Sequence, residues 1–255
     1  MDSFNGNNQF IFHNSLNCLG DFLEKFSESN YFSVLLKDAE TEKHILANQV
    51  CADKWALTPQ AMVGTTIHEI YDRVQSFKNK DSVIERVKQA EHTALQAHYQ
   101  TNETYTILLY DGTVSVQQSA YIPVFGMDKH PIAIFILTYD LTRYTRLLYL
   151  LKIYDSYYSS KSKAIQKLLD YLKITTYFCD RPSIGEVKVL LAMSEEPRAT
   201  RLAEIIQLSP KTIAGYIASL RDKLKPNIDL YSVLSHLRAG QQWFPKHEVL
   251  IGSDL

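Results

Sequence analysis

The chain has few cysteines: Cys18, Cys51 and Cys179 are odd in number and widely spaced, so neither a disulfide framework nor a zinc motif follows from them. It also lacks a long hydrophobic run, since the most apolar stretch, Ile132 to Tyr139, is far too short to span a bilayer as a helix. The first ten residues, MDSFNGNNQF, show no basic region followed by an apolar stretch, so no secretory signal is expected. A reducing, bacterial-type cytoplasm without membrane attachment is the simplest compartment. Familiar catalytic signatures are missing too: there is no GxxxxGK phosphate loop, no GxGxxG, no HExxH and no GxSxG. The adjacent pair His68-Glu69 has the right chemistry for acid–base work, but neighbours on a helix point in different directions. No enzyme is expected.

What is present is the composition of a globular protein, 45% hydrophobic and 22% charged over 255 residues, enough for two ordinary domains and a connector. The formal net charge of −1 hides an asymmetry. Residues 1–180 carry 17 Lys and Arg against 20 Asp and Glu, whereas residues 181–247 carry 10 against 6. A small basic module behind a mildly acidic larger one suits a polyanion binder with a separate control domain.

Along the chain, Phe22 to Phe26 reads as the end of a short helix. Tyr31 to Leu36 and His44 to Ala47 read as a hairpin around the polar turn from Asp38 to Glu42. Helices follow from Gln49 to Leu57, after the Thr58-Pro59 start, and from Ser82 to Tyr99, where Val83, Val87, Ala90, Ala94 and Ala97 keep a helical spacing. Tyr105 to Tyr110 and Thr113 to Val124 flank Asp111-Gly112, a strong hairpin signal. Pro131 to Asp140 is a third strand, apolar enough to be covered at least in part on both faces.

Two strands, short helices, then three antiparallel strands predict an α+β domain. This order resembles a PAS domain, through Tyr31 to Asp38 and Ile45 to Asn48, then Thr58 to Gly64, then the Asp111-Gly112 hairpin and the closing strand. The resemblance covers about half of the chain and implies a sensor whose sheet encloses a small molecule or engages a partner. Tyr31, Phe32, Tyr105, Tyr121, Phe135 and Tyr139 are candidates to line a pocket or to fill the core. No cofactor is assigned: the Asn-Cys-Arg signature of flavin photosensors is absent around Cys51, and His44, His68, His92 and His98 lack the setting of a haem ligand.

From Leu141 to Tyr158, Leu141, Tyr144, Leu148 and Leu151 recur at spacings of three and four, the seam of a short coiled coil. A second helix carries Ile165, Leu168, Leu169 and Leu172. This connector is expected to pair two subunits and pass on a signal; the alternative is a helix packed on its own sheet.

The C-terminal part reads as four short helices. Ile184, Val187, Leu190 and Leu191 share one face; Leu202, Ala203, Ile205 and Ile206 follow after Pro197. Ser209 is an N-cap with Pro210 at the first helical position, and Ile213, Ile217, Leu220 and Leu224 are spaced four, three and four. Asp229 to Ala239 is the fourth helix. A tight turn between the second and third makes a helix-turn-helix, whose third helix lies in the major groove.

The residue detail resembles the LuxR-type helix-turn-helix: Glu186-Val187 with Leu190-Leu191, Leu202-Ala203, the string Leu208-Ser209-Pro210-Lys211-Thr212-Ile213, then Tyr216, Leu220 and Lys223-Leu224. It spans about sixty-five residues and implies a DNA-binding transcriptional regulator. The chain departs from the family before the turn, where Arg198 and Arg201 stand in place of a phosphate-contacting Lys, and at Tyr216, where His is common. The family's base-facing positions fall on Ala214, Gly215 and Ala218. Such small residues cannot make bidentate hydrogen bonds to guanine or adenine. The resemblance therefore implies close approach, contact of Ala214 and Ala218 with thymine methyls, and anchoring at the backbone by Ser209, Lys211, Thr212, Tyr216, Arg221 and Lys223. Gly215 costs roughly 1 kcal/mol against Ala inside a helix, which that approach offsets.

The sequence thus leads to an α+β protein in three parts: a PAS-like sensor domain over 1–140, a helical connector over 141–180 and an all-α LuxR-type domain over 181–247. Double-stranded DNA, a second copy of the chain and a small-molecule ligand are its expected partners. Two alternatives stay open: a protein-interaction or anti-regulator module that keeps the helix-turn-helix skeleton without binding DNA, and an enzyme with its pocket in the N-terminal half.

Overall fold

The computed structural model describes residues 32–73, 80–196 and 198–240. Tyr31, the stretch from Phe22 to Phe26, and the ends of the first and last expected domains lie outside them. The architecture is α+β. Five strands, β1 (Phe32–Asp38), β2 (His44–Ala47), β3 (Thr101–Leu108), β4 (Val114–Phe125) and β5 (Pro131–Asp140), form one sheet in the order β2-β1-β5-β4-β3. β1 runs antiparallel to β2 and β5, and β4 antiparallel to β5. Between β2 and β3 come α1 (Gln49–Asp53), α2 (Pro59–Met62), α3 (Ile67–Asp72) and α4 (Lys80–Ala97). After the sheet follow α5 (Leu147–Tyr157), α6 (Lys161–Tyr171), α7 (Ile184–Glu195), α8 (Ala199–Ile206), α9 (Pro210–Asp222) and α10 (Leu230–Gly240).

The chain divides into two compact units, and neither is a single stretch of sequence. The first gathers 32–73, 81–105 and 117–140; the second joins 106–116 to the residues from 141 onward.

In the first unit, residues directly opposite one another in an antiparallel pair share a face. Ser33 opposes Thr138, and Thr138 opposes Ser119, so these hydroxyls form a row on the helix-covered face. The same face carries Leu35, Ile136 and Tyr121, which pack against Ala90 and Ala94 of α4. Asn48 ties strand to helix: its Oδ1 accepts from Cys51 N at 2.8 Å as the N-cap of α1 and from Val34 N at 3.0 Å. Its amide donates to Phe32 O at 2.8 Å. Thr58 caps α2 with Pro59 behind it, as its sequence signals, and Gly64 ends that segment at φ +80°.

In the second unit, the β3–β4 turn closes through Leu109 N to Thr113 O at 2.8 Å, with Gly112 at φ +82°. Tyrosines of α5 and the residue after it hold this turn. Tyr154 Oη accepts from Val114 N at 3.1 Å, Tyr157 donates to Thr106 O, and Tyr158 donates to Gly112 O. Lys167 of α6 donates to Asp111 O at 2.7 Å.

Much of the connector seam packs inside the same unit. Leu141 and Leu151 are buried, and Leu148 packs on the cluster of Val189, Ala192, Leu202, Ile206 and Ile213. Glu195 of α7 accepts from Leu147 N at 2.5 Å, satisfying a donor at the start of α5. Leu148, one of the expected seam positions, thus packs on the helix-turn-helix core of its own chain.

Candidate nucleic-acid interface

The turn between α8 and α9 is set by backbone geometry that the sequence permits only narrowly. Gln207 takes a left-handed conformation, φ +55° and ψ +46°, to end α8. Leu208 N then donates back to Ala203 O at 3.2 Å. Ser209 Oγ accepts from Thr212 N at 3.1 Å and lies 2.8 Å from Thr212 Oγ1, so both expected backbone anchors are engaged in the N-cap while their side chains stay exposed.

α9 is two-sided. Ile213 and Leu220 are buried, and Tyr216 and Ile217 pack at the margin of the α7–α8 cluster. On the other side, Lys211, Thr212, Ala214, Gly215, Ala218, Arg221 and Asp222 are exposed, a stripe at the helical spacing of three and four. A Cβ added at Gly215 would meet nothing within 4 Å. Among the described residues Lys211 and Arg221 have no carboxylate partner, and they stand at either end of a small-residue surface.

The other expected contacts are disposed differently. Arg198 and Arg201 are exposed but share Glu196, with Arg198 Nε 3.0 Å from Oε1 and an Arg201 guanidinium nitrogen 3.8 Å from Oε2. Hydrogen bonds from Arg198, and then the charges of both arginines, hold the Glu196 carboxyl below its ordinary value. Tyr216 turns toward α7: its ring lies where a Cβ on Gly185 would fall, 2.6 Å from Cζ and from Oη. Lys223 is the most committed of all, donating to both Glu186 oxygens at 2.7 and 2.9 Å.

Glu186 is the centre of a clasp that sequence reading did not assemble. It is only 3% exposed. Its backbone and side chain form a capping box with Ser183, and Ser219 of α9 donates to its Oε1 at 2.5 Å. Burial works to raise its pKa, but the hydrogen bonds from Lys223, Ser219 and Ser183 prevail and hold it down at about 2. The Ser183-x-x-Glu186 spacing was the available signal. At the far end of α7, Arg238 of α10 donates to Ser194 O at 3.1 Å and Met193 O at 3.0 Å, capping its last carbonyls.

The residues expected to line a sensor pocket are not brought together. Tyr31 lies outside the described residues. Phe32 opposes Tyr139, which pairs with Gln118, whereas Phe135 opposes Leu36 and Ile122; this set occupies one face of the sheet. Tyr121 and Tyr105 belong to the helix-covered face, where Tyr105 Oη lies 2.8 Å from Ser119 Oγ, which lies 2.7 Å from Thr138 Oγ1. His44 is a buried core histidine 3.0 Å from Thr65 Oγ1, its pKa lowered to about 4 by burial and by Lys37. Among the described residues no group of three or more His, Cys, Asp or Glu is placed to hold a metal ion, and no helix is long and apolar enough to cross a membrane.

No protein-family model matches the chain, and no curated protein matches it in sequence. Solved structures do. A VqmA–ligand–DNA complex of Vibrio cholerae is similar at 16% identity and a TM-score of 0.44, with 82% of each chain covered. A phage VqmA–DPO complex is similar at 14% identity and a TM-score of 0.43, covering 90% of this chain and 94% of that one. The PAS domain of Bordetella pertussis BvgS is similar at 18% identity and a TM-score of 0.40, covering 53% of this chain and 93% of that one. At these values the functional argument rests on the residues of this chain.

Proposed function

We propose that the chain is a DNA-binding transcriptional regulator, in which a PAS-like sensor of a small molecule or partner controls a LuxR-type helix-turn-helix and α9 enters the major groove of double-stranded DNA. One observation carries this reading: the Ala214–Gly215–Ala218 side of α9 is bare and open while its apolar side is buried, and Lys211 and Arg221 flank it with no carboxylate partner among the described residues. A helix with so little side chain approaches base edges closely, touches thymine methyls, and leaves much of the discrimination to DNA shape. Arg198 and Arg201 add phosphate contacts when DNA competes with Glu196 for them. The regulator works in the cytoplasm as a homodimer, with half-sites about one helical turn apart.

The test is a salt-dependent anisotropy titration with genomic fragments that co-precipitate with the protein. Binding weakens steeply with salt, and Lys211→Ala and Arg221→Ala each flatten the log–log slope by about 1. Salt-insensitive binding, or no effect of either substitution, overturns the proposal.

A second reading, a protein-interaction module on a helix-turn-helix skeleton, draws on the pairing of Arg198, Arg201 and Lys223 with chain carboxylates and on Ile205, 50% exposed on α8. It requires a co-purifying protein and no affinity for DNA.

A further inference from the structure

α7 ends on two carboxylates, Glu195 and Glu196, with Glu196 as the residue that closes the helix. Acidic side chains at a helix C-terminus meet the negative end of its dipole, an arrangement the helix itself disfavours. What holds the two in place comes from other elements of the second unit. Glu195 accepts from the backbone N–H of Leu147, the first residue of α5, at 2.5 Å. Glu196 is engaged by the residues that open α8. Its Oε1 accepts from Arg198 N and from Arg198 Nε, both at 3.0 Å. Its Oε2 lies 3.5 Å from an Arg198 guanidinium nitrogen and 3.8 Å from one of Arg201.

The partners are unequally exposed. The Glu196 side chain is 14% exposed, whereas those of Arg198 and Arg201 are 67% and 61% exposed. The carboxylate is largely withdrawn from solvent while both guanidinium groups reach into it. One anion therefore offsets part of the charge of two outward-reaching cations, and these are the two cations assigned above to phosphate contacts. Ion pairs whose cations are this exposed are weak, so a polyanion can displace them.

The first turn of α5 bears on both sides of this contact. Leu147 supplies the amide that Glu195 accepts, and Leu148 packs on the cluster that contains Ala192 of α7 and Leu202 of α8. Glu196 directly follows Glu195, and Leu202 directly follows Arg201. A displacement of this turn thus acts on the carboxylate through one neighbour and on an arginine through the other.

We propose that Glu196 is an autoinhibitory counter-charge that keeps Arg198 and Arg201 from DNA phosphates, and that the tie between Glu195 and the first turn of α5 holds it in that position. The proposal rests on the DNA-binding reading and adds its regulation: a signal that shifts the start of α5 releases the two arginines and tightens binding.

The test is an anisotropy titration of the full chain over a range of salt, on genomic fragments that co-precipitate with it. Glu196→Gln is expected to bind about three- to ten-fold more tightly at low salt. Its log–log slope against salt steepens by about 1 to 2, since each freed cation displaces a counterion from DNA. Adding Arg198→Ala and Arg201→Ala to that variant removes both the gain and the extra slope. Glu195→Ala, which deletes the acceptor for Leu147 N, gives a gain of about two-fold. Glu195→Gln loses the same charge but keeps an acceptor oxygen, and it gains less. Melting temperatures within a few degrees of the parent show that the variants are folded. Unchanged affinity and slope in Glu196→Gln overturn the proposal, as does a gain that survives the loss of both arginines. Equal affinities of Glu195→Ala and Glu195→Gln overturn the tie to α5. Each of these failures leaves salt-dependent binding by the parent intact, whereas its absence from both the parent and Glu196→Gln overturns the regulator reading instead.

Discussion

α7 and α9 each contain a glycine, and the two are used in opposite ways. On α7, a methyl group at Gly185 would fall into the ring of Tyr216, which would have to shift to admit it. On α9, a methyl at Gly215 would meet only open space. Packing explains the first glycine and not the second. A glycine inside a helix weakens it by roughly 1 kcal/mol against alanine, and the packing of this chain does not require it at 215. The same contrast holds for charge: Glu186 of α7 is surrounded by donors, whereas among the described residues Lys211 and Arg221 of α9 have no acidic partner.

Substitutions on the two helices sharpen this contrast, and the largest effect belongs to the clasp. Glu186→Gln is expected to lose roughly 3 kcal/mol at neutral pH, because a carboxylate held near 2 instead of an ordinary 4.5 is worth about 1.4 kcal/mol for each pH unit of depression. A carboxyl depressed in the folded state contributes stability above its unfolded pKa and loses it as pH falls through the folded value. The penalty should therefore be complete above about pH 4.5 and shrink toward zero near pH 2. Urea unfolding of both proteins across that window checks it, and curves that stay apart at pH 2 would contradict the assignment.

Gly185→Ala comes next, at about 1–3 kcal/mol of destabilisation, since the Tyr216 ring must leave its place at the margin of a packed cluster. The double substitution Gly185→Ala with Tyr216→Leu should recover part of that loss, measured by the same unfolding curves. Gly215→Ala reverses the sign, stabilising α9 by about 0.5–1 kcal/mol in thermal unfolding while weakening DNA binding several-fold. If the more stable variant binds DNA as tightly as its parent, close approach is not what Gly215 provides. Smallest in stability is Lys211→Ala, within about 0.5 kcal/mol of the parent; its effect appears only in the salt slope for DNA.

Much of this arrangement is written locally and some is not. β5 was legible residue for residue, and the N-cap at Ser209 with its Pro210 announced α9. The stripe on α9 follows from helical spacing alone. β3 begins at Thr101, four residues before the strand expected from Tyr105, because its first residues are polar and face the open edge of the sheet. The connector read as one helix from Leu141 is instead a short 3₁₀ turn over Thr142–Tyr144 and then α5. Threonine hydroxyls divert it: Thr142 Oγ1 accepts from Val116 N at 2.9 Å, and Thr145 Oγ1 donates to Leu141 O at 2.9 Å. Lys223 looked like a free cation because its partner, Glu186, is 37 residues away and only the folded chain brings the two together. Phe32 and Phe135 looked like companions of Tyr105 and Tyr121 because composition carries no information about which face of a sheet a residue takes.

The discontinuity of the two units has a practical meaning for anyone wishing to dissect the molecule. Residues 106–116, from the middle of the sheet-forming sequence, belong with the C-terminal helices, so a protease acting at one site cannot liberate either unit whole. A fragment begun at residue 181 would strip Leu148 from the cluster it covers and leave Glu195 without the amide it receives. The protein is better taken apart by point substitution than by truncation.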